Sequence, residues 1–327
     1  MPKLVDTFGR TVTSLRISVT DRCNFRCRYC MPAEGMEWLP KESLLTYEEL
    51  ARVAGIAARL GVTHIRLTGG EPLMRKDLWK LVSQLRQIED ITDIALTTNG
   101  YFLKEQVEQL AASGLHRVNI SLDGVERTIV DAMARRECYD RIWDGIEAAA
   151  CTGLAPIKLN VVLIRGINDG EILKLARLAR TRPFIVRFIE FMPIGKEDGW
   201  SSDRVVTTQE VVETIDRITP LVPVGGPGSP SERYLFTDGQ GEIGFISSVS
   251  NPFCSDCNRI RLTAEGKLRT CLFSHQETDL RLLLRGDATD EAIAGVLVGA
   301  VRKKEEGHLI NRPGFVRPER TMSQIGG

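Results

Sequence analysis

Between residues 13 and 190 short β-rich runs alternate with helical patterns, and this alternation constrains the fold more than any other feature. Strands are expected at 14–19, 64–68, 91–97, 117–122, 157–164 and 184–190, several nearly continuous in apolar residues, as strands covered on both faces should be. Helices are expected at 46–60, opened by Thr46 and Glu49 in capping-box spacing, and at 76–88, 103–112, 139–152 and 171–181. Strand–helix units at intervals of about 25–50 residues build a parallel sheet. Six such units predict an incomplete (β/α)6 barrel of the TIM type, with an open doubly wound sheet as the alternative.

The pattern changes after residue 195. A helix is expected at 208–218, an irregular Pro- and Gly-rich loop at 220–231, and short strands at 233–237, 242–247 and 259–263. Helices from 279 and over 289–305 follow, then an extended tail from Gly307. The 327 residues therefore read as a partial barrel over 1–195 and a C-terminal α+β extension over 196–327 that covers the barrel's open side. Lys plus Arg and Asp plus Glu balance at 43 each, so no overall basic field exists for nucleic acid or an anionic membrane. Any anion site must be a local cluster of cations. The opening MPKLVDTFGR lacks the apolar stretch of a signal peptide, and the longest apolar run, 292–301, falls short of the roughly 20 residues of a membrane span. A cytoplasmic protein is expected.

Six of the eight cysteines fall in two groups, Cys23/Cys27/Cys30 and Cys254/Cys257/Cys271. Cys138 and Cys151 match no motif and are expected to be small buried apolar groups. In a reducing compartment clustered thiols point to metal or redox chemistry rather than disulfides. Three thiolates as close as Cys23-x3-Cys27-x2-Cys30 can bind three irons of a [4Fe–4S] cube and leave the fourth open as a cofactor position. Cys254-x2-Cys257-x13-Cys271 is followed by His275, and on spacing alone it suits a Cys3His zinc site equally well.

Thr68-Gly69-Gly70-Glu71-Pro72 ends the second strand, at the edge where barrel enzymes bind ligands. Two glycines admit a ligand to bare backbone, although an ordinary turn would use the same residues. Arg16, Arg66, Lys158 and Arg187 occupy strand positions where apolar residues belong. Such cations either pair internally with Glu71, Asp123 or Glu190, or converge on one anion. Arg259 and Arg261 flank Ile260, so a strand there projects both to one face. His64 and His116 begin strands and read as structural.

The first cysteine group, with Tyr29 before its last member and Gly-Gly-Glu-Pro at the second strand, resembles the signature of radical S-adenosylmethionine (SAM) enzymes. Further stretches narrow the resemblance: Asn251 to Leu272, Ser18-Val-Thr-Asp-Arg-Cys, Thr97-Thr98-Asn99-Gly100, Arg187-Phe-Ile-Glu and the final Gly326-Gly327. In order, through nearly the whole chain, they resemble the GTP 3′,8-cyclase family of molybdenum-cofactor biosynthesis.

That resemblance implies two [4Fe–4S] clusters, on Cys23, Cys27 and Cys30 and on Cys254, Cys257 and Cys271. It implies SAM on the first, contacted by Tyr29, Gly70, Ser121 and Met192. It implies GTP with its guanine on the free iron of the second, contacted by Arg16, Arg66, Thr97, Lys158, Arg187, Arg259, Ile260 and Arg261. Gly326 and Gly327 would reach into the active site. The implied reaction has a 5′-deoxyadenosyl radical take hydrogen from C3′ of GTP, whereupon the carbon radical attacks C8. The product is (8S)-3′,8-cyclo-7,8-dihydroguanosine 5′-triphosphate, the first step toward molybdopterin. Implied partners are a downstream cyclic pyranopterin monophosphate synthase and an electron donor such as flavodoxin or ferredoxin. Whether the chain is a homodimer stays open. Two rivals stand beside this reading: a peptide-modifying radical SAM enzyme, which usually carries more C-terminal cysteines, and a non-catalytic iron–sulfur or zinc scaffold.

Overall fold

The computed structural model describes residues 3–195, 199–224 and 231–327. Six strands, β1 (Ser14–Ser18), β2 (His64–Thr68), β3 (Asp93–Thr98), β4 (Arg117–Ser121), β5 (Ile157–Leu163) and β6 (Phe184–Glu190), pair in parallel in chain order. Helices α1 (Tyr47–Arg59), α2 (Leu78–Arg86), α3 (Leu103–Ala112), α4 (Arg127–Ala134), α5 (Tyr139–Ala150) and α6 (Ile172–Thr181) form the crossovers. The result is the expected α/β partial barrel. α1 starts where its capping box requires: Thr46 Oγ1 accepts from Glu49 N at 3.1 Å, and Glu49 Oε2 accepts from Thr46 N at 2.7 Å.

The remaining elements are α7 (Thr208–Asp216), β7 (Leu221–Val224), β8 (Glu232–Phe236), β9 (Glu242–Ile246), β10 (Arg259–Leu262), β11 (Lys267–Arg269), β12 (Thr278–Asp279), α8 (Arg281–Arg285), α9 (Asp290–Arg302) and α10 (Met322–Ile325). Their strands continue the barrel sheet at both edges. β10 adds parallel to β1 and β9 parallel to β6, giving the order β12-β11-β10-β1-β2-β3-β4-β5-β6-β9-β8-β7. Strand periodicity divides the side chains. Leu15, Ile17, Ile65 and Leu67 are fully buried against the helices, which leaves Arg16 and Arg66 on the inner face.

Several expectations need correction. Residues 221–224 are a strand, because Pro223 sits in the edge strand β7, which pairs only with β8. Residues 225–230 of the expected loop, and the expected boundary at 195–196 on its far side, lie outside the described residues. The tail is not extended throughout, since Thr321 and Gln324 form a capping box that opens α10. Cys138 is buried as expected, but Cys151 is exposed, because it caps the solvent end of α5.

Candidate active site

One cavity of about 310 Å³ opens inside the barrel, and both cysteine groups line it. Cys23, Cys27 and Cys30 come from the loop after β1. Cys254 and Cys257 precede β10, and Cys271 follows β11. All are free thiols. Among the described residues no three or more His, Cys, Asp or Glu side chains converge closely enough to hold a single metal ion. Three thiols in the first trio match the donor set of a cluster with one open iron. His275 does not complete a zinc set. It is exposed, off the cavity wall, with Nε2 3.1 Å from Val316 O.

The first trio is locked to the barrel by the two glycines after β2. Gly70 N donates to Thr20 O at 2.7 Å and Glu71 N to Arg22 O at 2.8 Å. A Cβ on Gly69 would meet Thr20 O at 2.5 Å, and one on Gly70 would meet the carbonyls of Asp21 and Arg22 at 2.4 Å. The close approach that demands glycine is therefore that of the cysteine loop itself. Gly70 also reaches the cavity wall. Burial, and then Glu71, push the Cys23 thiol up to about 11; burial pushes Cys30 to about 12 and Cys27 well above the ordinary range. These thiols keep their protons until a metal displaces them.

In the second trio burial pushes the Cys271 thiol up, but Cys257 meets the opposite field. Burial opposes ionisation of Cys257, but Arg259 and Lys304 outweigh it and bring the thiol down to about 7. Arg259 Nη2 lies 3.9 Å from Cys257 Sγ, and its guanidinium covers the Phe253 ring at 4.7 Å. Arg10 Nη1 fixes the loop through Cys254 O at 2.7 Å.

Between the trios runs a row of cations. Arg261, Arg16 and Arg66 stand in direct register on β10, β1 and β2. Arg259 pairs in register with Ser14, and Arg187 lies across from Asn160, whose Oδ1 accepts from its Nε at 2.9 Å. All five arginines line the cavity. Burial and mutual repulsion pull Arg16 well below the ordinary guanidinium range, and burial likewise lowers Arg66, Arg187 and Arg261.

The carboxylates expected as internal partners are engaged elsewhere. Glu71 accepts from Leu73 N, Thr98 Oγ1 and Asn99 N. Asp123 accepts from Tyr29 OH and Val162 N, and Glu190 from Thr208 N, Val249 N and Ser250 N. Among the described residues none of the five arginines, nor Lys158, forms a salt bridge. An unpaired row of this kind along a cavity wall suits a polyanion.

Tyr29, Ser121, Met192 and Thr97 also line the cavity. Two expected contacts behave differently. Ile260 is fully buried in the hydrophobic core, because alternation turns it away from the face that carries Arg259 and Arg261, so only its main chain can meet a ligand. Lys158 shares the inward face of β5 with Asn160 but lies off the cavity wall, two residues nearer the start of the strand. The tail enters the barrel. Gly327 lines the cavity and its carbonyl accepts from Thr68 Oγ1 at 2.6 Å, while Gly326 O accepts from Arg261. The Ser323 backbone N–H favours ionisation of Cys30, against the larger effect of burial. Asp123, Asn160 and His308 are cavity residues that sequence reasoning did not assign to the site. For Asn160 a signal existed, a polar residue at an inward position of a strand; a solitary His308 in a tail carried none.

Residues 17–179 match the family model described as the Radical SAM superfamily, and residues 184–310 match Molybdenum Cofactor Synthesis C. Relatives named GTP 3′,8-cyclase include one from Moorella thermoacetica, 47% identical over 98% of this chain and 99% of that protein. Another, from Streptomyces coelicolor, is 43% identical over 99% of this chain and 96% of that protein. Among solved structures, Streptococcus suis SuiB bound to S-adenosylmethionine superimposes with a TM-score of 0.64 over 94% of this chain and 77% of that one. At 15% identity that likeness is one of fold alone.

Proposed function

The chain belongs to the GTP 3′,8-cyclase family of radical SAM enzymes, and from that membership we propose that it converts GTP to 3′,8-cyclo-7,8-dihydro-GTP, the first step of molybdenum-cofactor biosynthesis. The observation that carries the reading is one cavity walled by two cysteine trios and by an arginine row that forms no salt bridge among the described residues. When bound, SAM and an iron–sulfur cluster on Cys23, Cys27 and Cys30 supply the one-electron chemistry that starts a radical reaction. What the chain itself contributes is binding, orientation and exclusion of water.

Arg16, Arg66, Arg259 and Arg261, with Arg187 and Thr97, hold the triphosphate and ribose of GTP, and Lys158, set back from the wall, adds its charge to the same field. Guanidinium forks offer two parallel bonds to phosphate oxygens, so they orient the substrate as well as attract it. Cys254, Cys257 and Cys271 would hold a second [4Fe–4S] cluster, which would supply a binding position for the guanine. Tyr29, Gly70, Ser121 and Met192 contact SAM. Tyr29 does so with its ring, since its hydroxyl is committed to Asp123 Oδ2 at 2.9 Å. Gly326 and Gly327 close the space between the two ligands. Anchoring the substrate through the phosphates and the base fixes the orientation of the ribose between them. No side chain need act as acid or base in the radical reaction.

A downstream enzyme must rearrange the cyclised product, and a flavodoxin or ferredoxin is the proposed electron source. The cytoplasm is the proposed compartment, and among the described residues no helix is long and apolar enough to cross a membrane. Mass spectrometry of GTP incubated with the anaerobically reconstituted protein, SAM and dithionite tests the proposal. A product isomeric with GTP, formed together with 5′-deoxyadenosine, is expected. SAM cleavage with unchanged GTP would overturn it.

A further inference from the structure

We propose that Lys304 is the resident counter-charge of the second cysteine trio and sets the one-electron potential of an iron–sulfur group held by Cys254, Cys257 and Cys271. The inference rests on the cluster reading of that trio. Lys304 is only 3% exposed. Its Nζ donates to Arg259 O at 3.0 Å and to Thr270 O. Thr270 immediately precedes Cys271, and Arg259 lies two residues beyond Cys257, so one ammonium ties together both ends of the segment that joins these ligands.

Both acceptors are neutral carbonyls. They satisfy the hydrogen bonds of the ammonium and leave its charge uncompensated, and a lysine is almost never buried in that condition. Two neighbours sharpen the point. Arg10 is likewise buried beside the trio, but Asp6 neutralises it at 2.5 Å. Glu305, next to Lys304 in the chain, turns its Oε2 to Thr270 Oγ1 at 2.7 Å. Glu305 keeps its own negative charge beside Cys271, but among the described residues it makes no ion pair with Lys304, so the thiolates of a loaded trio are the further anions that Lys304 faces. Arg259 is the other cation close to Cys257, but it stands on the cavity wall, where a substrate anion engages it; Lys304 lies behind the trio, off that wall. Its charge is therefore constant through turnover. A fixed positive charge favours the reduced, more negative state of the metal group and raises its potential. Lys304 touches no substrate and is a positioning residue that acts through the trio.

The test is a dithionite titration of the full-length, anaerobically reconstituted protein, followed by electron paramagnetic resonance and iron analysis. Lys304→Met and Lys304→Gln remove the charge, the second keeping hydrogen-bond donors, and Lys304→Arg keeps it. Both neutral variants should lower the reduction equilibrium of the second cluster about tenfold, which is about 59 mV for a one-electron couple. The first cluster should not move, and Lys304→Arg should restore the wild-type value. If the neutral variants lose about four irons while Lys304→Arg loads fully, and the metal-free proteins melt alike, the charge is required for assembly and the inference stands. An unchanged potential in a loaded Lys304→Gln protein overturns it, as does equal iron loss in Lys304→Arg. A wild-type protein with a single cluster removes the premise instead, an outcome distinct from both.

Discussion

Arg16 stands directly opposite Arg261 across the β1–β10 pair, two cavity-lining guanidinium groups in register with no carboxylate paired to either among the described residues. Arg66 continues the row on the other side of Arg16. Three adjacent like charges weaken a sheet, and their presence makes sense only if a ligand supplies the missing negative charge.

Replacing Arg16 with Met should therefore separate stability from function. Denaturant melts of the ligand-free protein are expected to show a gain of up to about 1 kcal/mol, since a half-buried, unpaired charge that repels its neighbours gives way to apolar volume. GTP affinity should fall roughly 10- to 100-fold, the worth of a lost charge-assisted contact. SAM affinity should stay near wild type. A less stable ligand-free variant would contradict the view that Arg16 lacks a partner.

Lys158 gives a pH signature. Burial first, then Arg187, Arg117 and Arg66, bring its ammonium from the ordinary 10.5 down to about 8. The unfolded chain thus binds this proton more tightly than the folded one. The resulting penalty on folding is full below pH 8 and fades as pH rises toward 10.5, so stability should climb through that window and Lys158→Met should abolish the climb. A phosphate beside Lys158 restores its proton. Calorimetry at pH 9 in buffers of different ionisation enthalpy should register proton uptake on GTP binding, and its absence would separate Lys158 from the phosphates.

Gly70→Ala should release the first cysteine loop, because the new Cβ would meet the carbonyls of Asp21 and Arg22 at 2.4 Å. Reconstituted variant protein is expected to hold about four irons fewer than the wild type. Those lost should be the irons of the first trio. Full iron content would show that the loop can yield to the extra methyl.

Removing the Thr68 hydroxyl with Thr68→Val deletes the 2.6 Å bond to Gly327 O. At about 1 kcal/mol for such a bond, the tail should open about fivefold more often. Hydrogen exchange over 321–327 would report this, with the barrel's melting temperature unchanged. Equal exchange in both proteins would mean that Arg261 and the packing of α10 hold the tail by themselves.

Much of the barrel is legible because its burial pattern repeats locally. β2, β6 and α3 begin and end where residue periodicity puts them. α4 escapes that reasoning, since it is eight residues long, lacks a side-chain N-cap and follows β4 without the pattern of a full crossover helix. β11, β12 and α10 are too short to carry a period.

Thiol spacing, strand–helix alternation and inward cations on individual strands are properties of short windows of chain, and the amino-acid order alone sets them. Partnership between distant strands is not. The Asn258 amide meets Thr13 across 245 residues, where β10 docks on β1, and that docking puts Arg261 beside Arg16, brings the two cysteine trios to one cavity and sets Lys304 behind Cys257 and Cys271. Register at such range is fixed by which faces must be buried together, a condition met only when helices and both sheet edges are in place, and no local window of sequence records it.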